Sequence, residues 1–235
     1  MRIEFDGGTL LFREASEDAP YVEWDDRVED YRAPAYRYRA LLEWAEAWTG
    51  ADSSSDVQEP VRQQTIQSAT VGVEDTARAY PGLALDPTLQ IDPREYQQAA
   101  LDAWRTHDRR GSVVLPTGSG KTFLGLQAIA DAGVGTLVVA PTIDLMNQWH
   151  ATLTNAFGDQ LAHRSRNGTG RTIGVLGGGT HEIGPITVTT YDSAYRYVDE
   201  YGDRFGLLIA DEIHHLPAPT YRQIPEMTIA PIVSD

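Results

Sequence analysis

One stretch limits the folds open to this chain more than any other. It is Leu115-Pro116-Thr117-Gly118-Ser119-Gly120-Lys121-Thr122, entered from the apolar run Ser112 to Leu115 and left through Phe123 to Ala132. A strand, a tight glycine-bearing turn and a helix start, in that order, aim backbone N–H groups at one point and form a cradle for phosphate. Gly118 and Gly120 let the main chain approach an oxyanion with no Cβ in the way. The pattern gives Lys121 the β- and γ-phosphates of a nucleoside triphosphate and Thr122 a bound Mg2+, with Thr117, Gly118, Ser119 and Gly120 lining the cradle. The strict pattern asks for Gly where Leu115 stands.

Composition strengthens the motif. The 19 basic residues are 18 Arg and one Lys, and that Lys is Lys121. A single Lys dropped at random lands there with a chance on the order of one in two hundred. A chain that uses Arg everywhere else needs a reason to keep Lys here. A compact ammonium on a flexible stem, where a planar guanidinium is too bulky, is that reason.

At 235 residues the chain suits one large domain or two smaller ones with their own cores. No apolar run approaches the ~18 residues of a membrane span, and Met1 to Asp6 lacks a basic region followed by an apolar one, so no membrane partner is expected. The absence of Cys excludes disulfides and thiolate metal sites and suits a cytoplasmic protein. Acids outnumber bases 34 to 19, an awkward balance for a protein that holds a polyanion. In molar salt, fields are screened within about 3 Å and only close contacts count. The near-absence of Lys beside 20 Asp and 14 Glu resembles the proteome style of salt-loving archaea, and that reading is preferred here.

The first segment has two apolar runs around Asp6-Gly7-Gly8, the chemistry of a hairpin turn. Tyr21, Val22 and Trp24 make a further strand candidate. Tyr38, Leu41, Leu42, Ala45 and Trp48 fall on one helical face, which predicts a small α+β unit whose helix ends near Trp48. Residues 49–59 are polar and Ser-rich and read as a linker. Three regions result: a small α+β N-terminal domain over 1–60, a connector over 61–90 and an α/β lobe over 91–235. Residues 1–90 carry 18 acids and 8 Arg, so any DNA contact there has to use local Arg32, Arg37 and Arg39 with Trp24, Tyr36 and Tyr38, through stacking and short-range pairing.

From Asp92 the signals are dense. Asp92 as N-cap and Pro93 as first helical residue open an amphipathic helix stopped at Gly111. Strand 112–115, helix 121–132 ended by Gly133, strand 135–140 and helix 143–157 capped by Thr142 follow. Strands 173–176 and 186–189, helix 191–200 and strand 206–210 complete the series. Apolar strands alternating with helices predict a RecA-like doubly wound parallel sheet, with ligands at the carboxyl edge. At that edge stands Asp211-Glu212-Ile213-His214. Asp211 suits Mg2+ and Glu212 suits orienting or deprotonating an attacking water. His214 and His215 fit no usual zinc spacing, and His214 reads as a polar link between the nucleotide site and whatever packs on it.

LPTGSGKT, VVAPTIDLMNQW (138–149), VTTYDSAY (188–195) and ADEIHHLP (210–217) resemble motifs I, Ia, Ic and II of superfamily 2 helicases. The resemblance is closest to archaeal relatives of the xeroderma pigmentosum group B (XPB) helicase. Arg94-Glu95-Tyr96-Gln97 resembles that family's Q motif, which implies adenine recognition by Gln97. WDDRVEDYRAPAYRY (24–38) resembles the end of its small damage-recognition domain. The resemblance implies an ATP-dependent DNA helicase or translocase of repair or transcription, with ATP and Mg2+ as cofactors. Single-stranded or forked DNA is the implied partner, with a nuclease or a second helicase lobe in trans. Motifs Ia and Ic imply nucleic-acid contacts by Pro141, Thr142, Thr189 and Thr190; the Thr hydroxyls are small donors at strand ends and helix starts.

Nothing between His215 and Asp235 resembles motif III, and the arginine fingers of a second lobe lie beyond it in the family. Finger-type Arg accelerates hydrolysis by about 10³- to 10⁵-fold, so the sequence predicts nucleotide binding with slow or no turnover and no unwinding by these residues alone. Two other readings compete. A non-catalytic DNA-binding or regulatory module would bind forked DNA without nucleotide dependence. A restriction-type translocase subunit would share motifs I and II but lack the aromatic N-terminal unit. A kinase is disfavoured, because tandem Asp211-Glu212 suits water activation better than transfer to a hydroxyl.

Overall fold

The computed structural model describes residues 1–15, 18–51, 72–86, 92–116, 118–162, 173–215 and 219–234. Most of the expected linker over 49–59, and Thr117, lie outside the described residues.

The first apolar runs form β1 (Arg2–Asp6) and β2 (Thr9–Arg13), antiparallel with Asp6 opposite Thr9. Gly7 and Gly8 take φ of 54° and 80°, the two left-handed positions that a two-residue hairpin turn requires. β3 (Glu23–Asp25), β4 (Asp30–Pro34) and β5 (Glu74–Asp75) complete a five-stranded sheet in the order β3-β4-β2-β1-β5. Helix α1 (Tyr38–Ala51) covers one face, burying Tyr38, Leu41 and Ala45 against Ile3, Leu10 and Phe12. The expected helical face is therefore correct at its centre. It differs at the end: the helix runs past Trp48, which is exposed and stacked on Trp44 with ring centroids 5.2 Å apart. Tyr21 and Val22 lie outside β3, and Tyr21 instead turns the chain at φ 65°.

The rest alternates as α2 (Glu95–Thr106), β6 (Gly111–Ser112), α3 (Lys121–Ala132), β7 (Thr136–Ala140), α4 (Ile143–Ala162), β8 (Ile173–Gly177), β9 (Thr180–Glu182), β10 (Ile186–Thr190), α5 (Tyr191–Tyr201), β11 (Leu207–Ala210), α6 (Gln223–Glu226) and β12 (Ile232–Ser234). The sheet order is β6-β12-β11-β7-β10-β8-β9, parallel except for β9 against β8. Period-two alternation serves two faces. Val138, Ala140, Leu207 and Ile209 face the core shared with α3 and α4, while Leu137, Val139, Leu208 and Ala210 face α5 and α6. This is the doubly wound α/β architecture, joined to a small α+β domain.

Three details depart from the sequence reading. The strand expected over 112–115 is confined to Gly111–Ser112, because its neighbour β12 offers Val233 and Ser234 as partners and the described register ends there. Val114, inside the expected strand, is 88% exposed. Helix α2 starts at Glu95, not Pro93, and its N-cap is Arg94 rather than Asp92. The winning interaction is local: the Gln97 side-chain oxygen accepts the Arg94 backbone N–H at 2.9 Å. Strand β9 was not foreseen; the turn Gly177-Gly178-Gly179, with φ of 137°, 60° and 88°, folds it back on β8.

The connector residues serve both cores: β5 and Ala77 belong with the first sheet, Leu83 and Leu85 with the second. Ile229, just before β12, is buried in the N-terminal core. An ideal Cβ on Gly8 would collide with the Met227 side chain, so the first hairpin turn sits directly on the segment after α6.

Asp203, half-buried near this junction, has a carboxylate oxygen with no partner among the described residues, and burial holds its carboxyl above the usual carboxylate range. A raised acid contributes most when protonated, and that contribution is lost as pH rises through its folded-state range. Asp203→Asn is therefore expected to match the unaltered chain in acid and to unfold at higher temperature near pH 7; melts across pH 4–8 check the crossover.

Candidate functional site

Because β6, β7, β10 and β11 run parallel, the segments that follow them meet along one edge of the sheet. The glycine loop follows β6, Pro141-Thr142 follows β7, Tyr191 follows β10 and Asp211-Glu212 follows β11.

The loop is held from α2. Gln97 is 5% exposed; its side-chain N–H donates to the Ser119 carbonyl at 2.9 Å, and the Tyr96 hydroxyl donates to the same oxygen at 2.7 Å. Gly120 is the N-cap of α3 at φ 86°, and an ideal Cβ there would lie 2.6 Å from the Gln97 side-chain nitrogen. Glycine is thus required twice at this position, by conformation and by space. At Gly118, with φ 77°, a Cβ would meet nothing within 4 Å. The buried Ser119 hydroxyl has no partner among the described residues. Open space at Gly118 and, one residue on, a buried hydroxyl with no partner among the described residues suit a phosphate group, so the residues present fit a nucleotide. Thr122 lies half-buried in the first turn of α3.

Lys121 opens α3 and directs its ammonium across the sheet edge, with Nζ 3.9 Å from Glu212 Oε1. The other Glu212 oxygen lies 3.3 Å from His214 Nδ1. Glu212 takes φ 56°, a left-handed conformation that costs an L-residue roughly 1–3 kcal/mol. In that conformation its carboxylate stands between Lys121 and His214.

Asp211 is fixed by two aromatic residues. The Trp149 indole N–H donates to Asp211 Oδ2 at 2.8 Å, and the Tyr191 hydroxyl donates to the Asp211 carbonyl at 2.9 Å. Trp149 is buried against Gly125, where an ideal Cβ would lie 2.7 Å from the indole ring. Lys121 and Asp211 line one pocket with Leu101, Trp104, Leu124, Trp149 and Ile209. Low-polarity walls strengthen the pull of Lys121 on an anion.

The structure thus brings together Gln97, Gly118, Ser119, Gly120, Lys121, Asp211, Glu212 and His214. Thr142 is exposed and caps α4, accepting the Leu145 N–H at 3.2 Å, with Pro141 half-buried beside it. Thr190 caps α5, accepting the Ser193 N–H at 3.3 Å. Thr189 is a correction. It is fully buried and donates its hydroxyl to the Leu176 carbonyl at 2.6 Å, which removes it from any nucleic-acid surface. Trp149 and Tyr96, which orient Asp211 and the loop, were not singled out from the sequence as site residues. The signal was there in Gly125, which makes room for the Trp149 ring.

Residues 90–233 match the family model of the type III restriction enzyme, res subunit. Residues 3–48 match the xeroderma pigmentosum group B helicase damage recognition domain. The chain belongs to the XPB-type superfamily 2 helicases. The N-terminal match decides between the XPB and restriction-type readings. The DNA 3'-5' translocase XPB2 of Sulfurisphaera tokodaii is 33% identical over 91% of this chain. The putative DNA 3'-5' helicase Rad25 of Halobacterium salinarum is 34% identical over 79% of it. The chain spans 40% and 29% of these XPB-type relatives. The Sulfolobus solfataricus SWI2/SNF2 ATPase core, solved in complex with dsDNA, shares the fold at a TM-score of 0.50 and 18% identity, covering 64% of this chain and 33% of that one. No helix among the described residues is long and apolar enough to cross a membrane.

Proposed function

We propose that this XPB-type chain is the ATP-binding lobe of a DNA helicase or translocase, with residues 1–60 as its small N-terminal domain, 61–90 as connector and 91–235 as the nucleotide lobe. The observation that carries the reading is the convergence of Lys121, Asp211 and Glu212 on one sheet edge, with Lys121 Nζ 3.9 Å from Glu212. In this assignment the loop N–H groups and Lys121 take the phosphates of ATP, and Thr122 and Asp211 hold Mg2+. Bound Mg2+ would neutralise charge on the phosphates. Lys121 passes from Glu212 to the incoming phosphates, which frees Glu212 to orient a water. Gln97, already in contact with the loop, reads the adenine.

Pro141, Thr142 and Thr190 face DNA phosphates along the same edge, through hydroxyls and helix-start N–H groups. Such contacts are independent of sequence and suit a protein that moves along DNA. Turnover and strand separation in motors of this kind need cations presented from a second lobe. We therefore assign nucleotide binding to these residues and the motor stroke to a two-lobed assembly. The use of Arg nearly everywhere, with acids in excess, supports function in concentrated salt, where short-range contacts replace long-range attraction.

Trp104 and Trp149 line the pocket and give the test its signal. Titration with ATP is expected to change tryptophan emission, with affinity raised by Mg2+. Asp211→Asn should lose the Mg2+-dependent part while still binding free ATP. Equal Mg2+ enhancement in the variant, or no binding by the unaltered chain, would overturn the assignment.

A further inference from the structure

The N-terminal sheet carries a second, separate groove, lined by Tyr21, Trp24, Arg32, Tyr36 and Arg37 and closed on one side by Met227 of the α/β lobe. Its aromatic residues are not core. Tyr21 is 52% exposed, Trp24 54% and Tyr36 37%, three large rings open to solvent on one concavity. They are nevertheless held in place. The Arg37 guanidinium lies 4.2 Å from the Tyr21 ring centre and 4.8 Å from that of Tyr36. The Trp24 indole N–H donates to Asp26 at 2.8 Å, and its ring meets Tyr31 edge-on at 5.3 Å. Tyr21 reaches its position through φ 65°, a conformation that is costly for an aromatic residue. Strain spent on keeping a tyrosine ring at the surface is not explained by packing.

Charge narrows the occupant. Arg27 and Arg32 are both bonded to Asp25, at 2.7 Å and 2.9 Å, and Arg32 also to Asp6 at 2.9 Å. These guanidiniums hold the Asp25 carboxyl well below the usual carboxylate range, and their charge is matched by Asp25 and Asp6. Glu23, Asp26 and Glu226 add negative charge to the lining. A phosphate-dense duplex is repelled from such a surface. Flat π faces with a cation between them instead favour a ligand that presents a ring and keeps its phosphate outside.

We propose that this groove stacks an unpaired nucleobase of single-stranded DNA, by ring faces rather than by phosphate pairing. The proposal rests on the reading of the lobe as a DNA-acting one. Glu226 ends α6 and Met227 follows it on the way to β12, so a base seated here touches the nucleotide lobe as well as the N-terminal sheet. Recognition by stacking is tolerant of sequence and of salt, in keeping with the acidic chain.

The test uses the whole chain and oligothymidylate, followed by anisotropy at about 0.1 M and about 1 M KCl, where screening lengths differ threefold. Oligothymidylate is expected to bind without nucleotide, to outcompete a duplex of equal length and to lose less than tenfold in affinity between the two salts. Tyr21→Ala with Tyr36→Ala should weaken binding about tenfold or more, as loss of stacking does. Tyr21→Phe with Tyr36→Phe should bind as the unaltered chain does, and it keeps the test decisive if the alanine pair fails to fold. Unchanged binding by a folded alanine pair, loss of binding in the phenylalanine pair, preference for duplex, or no binding by the unaltered chain would overturn the groove assignment. ATP titration of the same proteins separates the two readings. Intact ATP binding without stacking sinks the groove alone; stacking without ATP binding sinks the lobe assignment and leaves the groove.

Discussion

Replacing Lys121 with alanine is expected to abolish measurable ATP binding in a chain that remains folded. The side chain is 27% exposed, its ammonium lies 3.9 Å from Glu212, and alanine is a good residue in the first turn of α3. Little stability therefore depends on it. Binding does in the proposed assignment, because charge-assisted contacts contribute about 1.5–3 kcal/mol each and this ammonium is assigned two phosphates. Losing both weakens affinity by about 10²-fold or more. Lys121→Arg is the informative companion. It keeps the charge but brings a planar fork into a loop clamped by Tyr96 and Gln97, and it should recover only part of the loss. Tryptophan emission titrated with MgATP checks both variants, with circular dichroism as the control for folding. Unchanged affinity in a folded Lys121→Ala protein would sink the phosphate-cradle assignment.

The second large effect is on stability. Ile229 is 3% exposed and sits in the core formed by Ile3, Leu10, Phe12, Tyr38 and Leu41, although it belongs to the segment leading into β12 of the other sheet. Ile229→Ala leaves a cavity in one core and loosens the anchor of the neighbouring lobe. Truncations of this kind cost about 2–5 kcal/mol. For a chain of this size that lowers the melting midpoint by roughly 5–15 °C. Thermal melts followed by far-ultraviolet circular dichroism measure it. If the midpoint moves by less than about 2 °C, Ile229 is not the joint described above. Both units should lose stability together, because the segment that carries the side chain runs from one core into the other sheet.

These two residues also mark what a sequence can and cannot reveal. Lys121 was legible because its chemistry is local: a loop, a helix start and a unique residue type lie within eight positions. Helix α3 was read correctly at both ends for the same reason, Gly120 and Gly133 each occupying a left-handed position. The Asp6-Gly7-Gly8 hairpin and the apolar strand expected over 206–210, found at Leu207–Ala210, were equally self-contained. Ile229 was not legible, since nothing in Thr228-Ile229-Ala230 says which of two cores receives it. Strand β12 is set by pairing between β6 and β11, far apart in sequence. The nucleic-acid role for Thr189 failed because a hydroxyl at a strand end was read as facing outward. Period-two alternation places Thr187 and Thr189 on the same inward side, each donating to a main-chain carbonyl. At the site, the catalytic candidates were legible and their supports were not. Trp149 and Tyr96 act through hydrogen bonds that exist only once α2 and α4 have packed.

Helix α4 carries two residues assigned to different ligands, its cap and a tryptophan two turns on. Its capping threonine is the one assigned to DNA phosphate, and seven residues along, about 10 Å at helical rise, its tryptophan grips the aspartate assigned to the metal. A helix is stiff over two turns, so it acts as a connecting rod. A phosphodiester pulling on the cap would displace the indole, and with it the carboxylate assigned to the ion. Mechanical linkage between track and fuel is thus available within a single rod, before any hinge between lobes is considered.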